Sequence, residues 1–166
     1  MSITEPRPSL ATPRNPGDER PIAGRQGLLC FGLGREEFGV DLHLIRQIVK
    51  PPPVTWVPRA PEHLPGVVSI RGAVITLVDL GLLMGFGPCS WPRTARILLF
   101  ETGGEVLGLL VDRVTMVRRL PPSALEHNPS LEDMPRTGHV ICLARPDPET
   151  QLAVIDLEGL LTEVLG

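Results

Sequence analysis

The chain has 166 residues, an apolar fraction of 42% and a formal net charge of −3, enough for one ordinary domain or two very small ones. That charge is too small, and of the wrong sign, for nucleic-acid binding by bulk electrostatics. With no Tyr, four Phe and two Trp, the chain also offers little surface on which bases could stack.

No apolar run approaches the roughly 18 residues that span a bilayer, so direct membrane insertion is not expected. The N-terminus lacks the apolar stretch of a signal peptide. Cys30, Cys89 and Cys142 are widely spaced and odd in number. They are expected to be reduced thiols in a cytoplasmic protein, not a disulfide framework or a zinc site.

Residues 1–24 hold five prolines (Pro6, Pro8, Pro13, Pro16 and Pro21) with scattered charges. Such a segment cannot bury enough surface to offset its ordering entropy, and a disordered tail is expected. Residues 25–166 are expected to form the folded part. Leu28 to Phe31 is an apolar run, Gly34 to Glu37 a turn, and Phe38 to Val40 a second run, the pattern of a β-hairpin. Leu42, Ile45, Ile48 and Val49 then follow at helical spacing behind a capping Asp41, which predicts a helix over 41–49. Pro51, Pro52 and Pro53 end it, because proline lacks the amide donor and clashes with a preceding turn. A stiff stretch from Val57 to Pro61 leads into a second hairpin over 66–80, with Arg71-Gly72 as its tight turn. Asp79 is placed to cap a short helix through Leu80, Leu82, Leu83 and Met84, which Gly85 to Pro88 stop.

The pattern then repeats. At a shift of 69, Phe31 falls on Phe100, Gly34 on Gly103, Glu36 on Glu105, Gly39 on Gly108, Ile45 on Val114 and Ile48 on Val117. Later, Val78-Asp79-Leu80 is echoed by Ile155-Asp156-Leu157 at a shift of 77. The longer second connection is expected to be a loop over 145–150. Two copies are too few for a solenoid. Short strands between Gly and Pro turns point to a mainly β fold, a pseudo-symmetric pair of small antiparallel barrels.

Catalytic patterns are weak. Gly32-Leu33-Gly34 precedes a hairpin turn and lacks the third glycine of a dinucleotide loop. His43, His63, His127 and His139 share no metal-ligand spacing, and no serine sits in a nucleophile elbow. Asp79, Asp112 and Asp156 each end an apolar strand, so capping or turn formation is the expected role. No cofactor, metal, catalytic residue or small-molecule substrate is expected. Arg71 stands alone in an apolar hairpin. It either ties down a turn or a nearby carboxylate, or it meets a partner at a surface, where arginine is enriched.

Taken in order, Phe31-x-Leu33-x3-Glu37-Phe38-Gly39-Val40-Asp41, Ile45-Arg46-Gln47-Ile48-Val49, Pro58-x2-Pro61-x2-Leu64-x-Gly66-Val67-Val68-x-Ile70-Arg71-Gly72, Val78-Asp79-Leu80 and Gly108-Leu109-Leu110-Val111-Asp112-x-Val114 resemble the bacterial chemotaxis coupling proteins, the CheW-like family. The resemblance covers residues 27–165. It implies two intertwined five-stranded SH3-like β-barrel subdomains with short helices, and a non-catalytic adaptor. It implies two partners: the cytoplasmic tip of a methyl-accepting chemoreceptor, and the regulatory domain of a CheA-type histidine kinase. The expected location is the cytoplasm, with recruitment to membrane-associated receptor arrays.

Carried over residue by residue, the resemblance implies receptor contacts at Ile45, Gly66, Ile70, Arg71, Gly108, Val114 and Val117. Kinase contacts are expected at Arg35, Glu36 and Glu37 and on the strand with Val74, Ile75 and Leu77. Gln47, Asp79, Asp112 and Asp156 are expected to be structural. Gln47 stands where the family usually has a glutamate able to pair with the hairpin arginine, and a neutral acceptor forgoes the charge-assisted part of that bond. Gly81 stands where a basic residue is common. These departures keep a second reading open, in which the chain is a competing scaffold that binds the kinase, docks receptor weakly and lowers kinase activation.

Overall fold

The computed structural model describes residues 27–126 and 139–165, with side chains up to residue 162. The tail expected over 1–24 lies outside the described residues. The first half comprises β1 (Gly27–Leu33), β2 (Glu36–Asp41), β3 (Ile45–Val49), β4 (Val54–Trp56), β5 (Gly66–Ile70), β6 (Ala73–Asp79) and helix α1 (Leu80–Leu83). The second half repeats that order as β7 (Arg96–Thr102), β8 (Glu105–Val111), β9 (Arg113–Arg119), β10 (Leu125–Glu126), β11 (Val140–Asp147), β12 (Thr150–Ile155) and α2 (Leu157–Leu165).

The halves do not fold side by side; they exchange strands. One sheet runs β10-β11-β12-β2-β1-β9 and the other β4-β5-β6-β8-β7-β3. Each SH3-like barrel therefore takes its first hairpin from one half and its second from the other. The exchange is sealed by two parallel pairings. Thr76 and Leu77 of β6 lie opposite Leu107 and Gly108 of β8, and Ala153 and Val154 of β12 lie opposite Phe38 and Gly39 of β2. A shift of 69 on one strand and 77 on the other turns the first pairing into the second, so the sequence repeat is a repeat of register. Each sheet counts six strands, against the five expected. The short edge strands β4 and β10, three and two residues long, make up the difference.

Three buried clusters account for the burial. Leu28, Cys30, Cys142, Leu152 and Val154 fill one barrel, and Val68, Ile75, Leu77, Ile97 and Leu99 fill the other. The largest cluster lies between the sheets, where Phe31, Val40, Val78 and Leu80 meet Phe100, Leu109, Ile155 and Leu157. The central strands bury both faces, which is why β1 is buried along its whole length and reads as a continuous apolar run rather than an alternating one.

Two expectations are corrected. The helix over 41–49 is only a 3-10 turn at Leu42–Leu44, which Asp41 caps by accepting the His43 amide at 3.0 Å. The rest is β3, paired antiparallel with β7 from Val49↔Ile97 to Ile45↔Phe100. Ile45, Ile48 and Val49 are β-branched, and an available sheet edge outweighs their helical spacing. Nor is 145–150 a loop, since β11 runs on to Asp147 and β12 begins at Thr150. The additional residues are absorbed by a register shift between Ala144 and Asp147.

Candidate functional site

The β5–β6 turn places Arg71 and Gly72 at φ 53° and 83°, the left-handed pair that a two-residue hairpin requires. Glycine enters that region freely, and arginine does so at a cost. The strained arginine is exposed. Among the described residues, no hydrogen bond or ion pair reaches its guanidinium. It borders a groove of about 470 Å³ whose walls include Gln47, Ile70, Val74, Leu99 and Glu105. Gln47 is in that groove without a hydrogen bond to Arg71. Arg46, on the same wall, is tied to Glu101 at 3.0 Å.

Ile45 and Val114 are related by the repeat, and both are half-buried against the central cluster. Ile45 pairs with Phe100 and Val114 with Phe31. Three residues further along each strand, Ile48 and Val117 face outward at 39% and 45% exposure, with Met116 at 43%. The 3-10 turn before β3 and the strand β9 lie close together, because a Cβ on Gly27 would touch both Leu42 at 3.2 Å and Val117 at 3.5 Å. The outer edges of the two sheets thus carry apolar side chains towards solvent. Ile48 and Met116 were not singled out from the sequence. Ile48 was detectable as the repeat partner of Val117.

Gly66 and Gly108 are buried. A Cβ on Gly66 would come within 2.3 Å of the Thr55 carbonyl oxygen of β4, and one on Gly108 within 2.9 Å of Ile97 Cγ2. Both allow close packing and offer a partner no side chain. The strand alternation turns Ile75 and Leu77 into a barrel interior, at 5% and 0% exposure, while Val74 is 73% exposed. Of the three β6 residues expected to meet a kinase, only Val74 presents its side chain. Arg35 and Glu36 are exposed at the β1–β2 turn. Glu37 is partly engaged, accepting the Thr115 hydroxyl at 2.5 Å.

The three aspartates hold backbone. Asp79, 5% exposed, accepts the amides of Leu82 at 3.2 Å and Cys89 at 2.9 Å. Asp156 accepts the Gly159 amide at 3.1 Å. Asp112 accepts the Gly34 amide at 2.6 Å and donates its own amide to Gly32, so it ties the β1–β2 turn to the end of β8. Burial pushes the thiol of Cys89 up to about 12 and that of Cys142 up to about 11, and raises Cys30 as well. All three are protonated at neutral pH, the weakly nucleophilic form. Among the described residues, no three of His, Cys, Asp and Glu come together as a metal site. No described helix is long and apolar enough to cross a membrane.

Comparison with known proteins matches this geometry. The CheW-like domain family matches residues 27–165. A probable chemotaxis protein CheW of Rhizobium etli is 29% identical over 141 residues, covering 84% of this chain and 90% of its own. The chemotaxis protein CheW of Klebsiella aerogenes is 27% identical, covering 82% of each chain. Among solved structures, the scaffolding protein TtCheW of Thermoanaerobacter tengcongensis superposes with a TM-score of 0.72 at 28% identity, covering 83% of this chain and 88% of that one. With its strand-exchanged twin barrels and this match over nearly all the described residues, the chain belongs to the CheW-like domain family.

Proposed function

We propose that this protein is a non-catalytic coupling adaptor that holds the tip of a methyl-accepting chemoreceptor against the regulatory domain of a CheA-type histidine kinase. The observation that carries the reading is Arg71: an exposed cation, held at positive φ and without an internal partner, beside a groove of mixed character where Ile70, Val74 and Leu99 stand with Gln47 and Glu105. Backbone strain of this kind persists where the surroundings enforce it, and it concentrates at sites of interaction. A helical receptor tip suits the surface, since apolar anchors drive docking and a few polar groups fix register. Ile45, Val114, Ile70, Ile48 and Val117 supply the apolar part. Gly66 and Gly108 act by keeping β4 and β8 in place. On the kinase side, Arg35 and Glu36 are exposed contacts, and Val74 joins them from a wall of the Arg71 groove, where it borders both partners. The adaptor works in the cytoplasm, recruited to receptor arrays, where weak single contacts gain strength through avidity.

The test is calorimetry or pull-down of the full chain with a receptor tip fragment and, separately, with the kinase regulatory domain. Arg71→Ala is expected to weaken receptor binding while leaving kinase binding and the melting temperature unchanged. Equal loss of both, with a lower melting temperature, rejects the assignment of Arg71 to a partner. Failure of the unaltered chain to bind either partner rejects the adaptor itself. The competing-scaffold reading rests on Gln47 and Gly81, which stand where the family usually has a glutamate and a basic residue. Reconstituted arrays separate the two, because a coupler raises kinase activity in the presence of receptor and a competitor lowers it.

A further inference from the structure

A second concave surface lies away from the Arg71 groove, between the 57–65 connection and the segment that follows α1. This cleft, of about 640 Å³, has Trp56 and Trp91 on one side and Pro61, Pro65 and Leu82 among its other walls. The indole rings meet edge to face, centroids 5.8 Å apart at 80°, and Trp56 is 58% exposed. Two residues around the cleft are held in the left-handed region, Trp91 at φ 57° and Arg59 at φ 65°. For a bulky side chain this is an outlier. It is anchored by the Trp91 amide, which donates to Cys89 Sγ at 3.3 Å. Among the described residues, the one carboxylate on the exposed rim is Glu62, because Asp79 is committed to the backbone amides of Leu82 and Cys89.

A rigid aromatic trough with an acidic rim is suited to a polyproline segment bearing arginine. Such a segment is already extended, loses little entropy on docking, lays its rings on indole faces and pairs its cation at the edge. The chain contains that sequence. Residues 6–16 read Pro-Arg-Pro-Ser-Leu-Ala-Thr-Pro-Arg-Asn-Pro, with Arg7 and Arg14 set between prolines. From Pro16 to Gly27 there are eleven residue steps, a reach of about 36 Å, on the order of the width of a domain of this length.

We propose that the Trp56–Trp91 cleft is an intramolecular docking site for the protein's own proline-arginine segment, residues 6–16, with Glu62 pairing to its arginine. The occupant is in cis, so docking is independent of protein concentration and persists in dilute solution. The site is separate from the Arg71 groove and does not depend on the adaptor reading.

The molecule carries its own reporter. Trp56 and Trp91 are the two tryptophans, and there is no Tyr, so intrinsic emission comes from this cleft. The experiment compares the full-length chain with full-length Pro13→Ala/Pro16→Ala, measuring the emission maximum and acrylamide quenching at two protein concentrations. Undocking is expected to move emission to the red and to increase quenching, equally at both concentrations. Adding a synthetic peptide of residues 5–17 in excess is expected to reverse both changes. Glu62→Lys in the full-length chain is expected to reproduce the undocked emission without altering the thermal transition. Emission and quenching identical in the parent and the proline variant overturn the proposal. A change that appears only at the higher concentration overturns the intramolecular assignment in favour of exchange between copies.

Discussion

Phe31 and Phe100 occupy equivalent places in the two halves, both fully buried in the central cluster, yet their surroundings differ. In the first half Phe31 meets the ring of Phe38 at 6.0 Å, and Phe38 meets Phe86 at 5.4 Å. In the second half the residue equivalent to Phe38 is Leu107, so Phe100 has an aliphatic neighbour there. The turns diverge further. The β5–β6 turn exposes a strained Arg71, whereas the β11–β12 turn is closed by Asp147 accepting the Glu149 amide at 2.9 Å. Duplication has kept what packs at the shared centre, where both copies constrain each other, and released what faces solvent. The proposed contact residue stands on one of the released positions.

The comparison is broken most severely at the centre. Phe31→Ala and Phe100→Ala are each expected to cost about 3–5 kcal/mol in urea unfolding. Phe31→Ala is expected to be the worse by about 0.5–1.5 kcal/mol, the contribution of an aromatic pair. Equal losses would show that the ring contact adds nothing beyond area.

The capping aspartates come next. Asp79→Ala strands two amides, those of Leu82 and Cys89, and is expected to cost about 2–6 kcal/mol at about 1–3 kcal/mol for each buried unsatisfied group. Asp156 is exposed and holds the Gly159 amide, so Asp156→Ala is expected to cost about 1 kcal/mol. Chemical denaturation of the pair measures the difference directly, and a reversed order would place the stronger cap in the second half.

The glycines of the parallel pairings sharpen the comparison further. A Cβ on Gly108 would sit 2.9 Å from Ile97 Cγ2, whereas one on Gly39 would sit 3.5 Å from its nearest neighbour, Leu28. Gly108→Ala is expected to cost about 1–2 kcal/mol by overpacking. Gly39→Ala, whose Cβ would make only ordinary van der Waals contact, is expected to cost less than Gly108→Ala. Comparable losses would mean that both positions need glycine for a reason other than space.

A last effect is confined to alkaline pH. Folded Cys142 keeps its proton up to about 11 and Cys89 up to about 12, while unfolded thiols release theirs near 8.5. Above that pH the unfolded state binds fewer protons, so stability falls as pH rises through 9 to 11. With Lys50 as the sole lysine and no Tyr, few other side chains titrate there. Melting temperatures measured across this range are expected to decline, and Cys142→Ala to flatten the slope. A slope unchanged in that variant would assign the decline elsewhere.

The sequence by itself determined the local units and their duplication: both hairpins of the first half, the capping role of Asp79 and the two shifts that relate the halves. Those features depend on neighbours a few residues apart, or on a pattern written twice. Tertiary structure decided the rest. Whether Ile45 to Val49 form a helix or a strand turned on an edge of β7 some fifty residues away. That the barrels exchange hairpins, that Ile75 and Leu77 face inward while Val74 faces out, and that Arg71 finds no partner in Gln47 all follow from long-range pairing. A residue's spacing states which face it shares, and only the packed neighbours determine whether that face meets core, solvent or another chain.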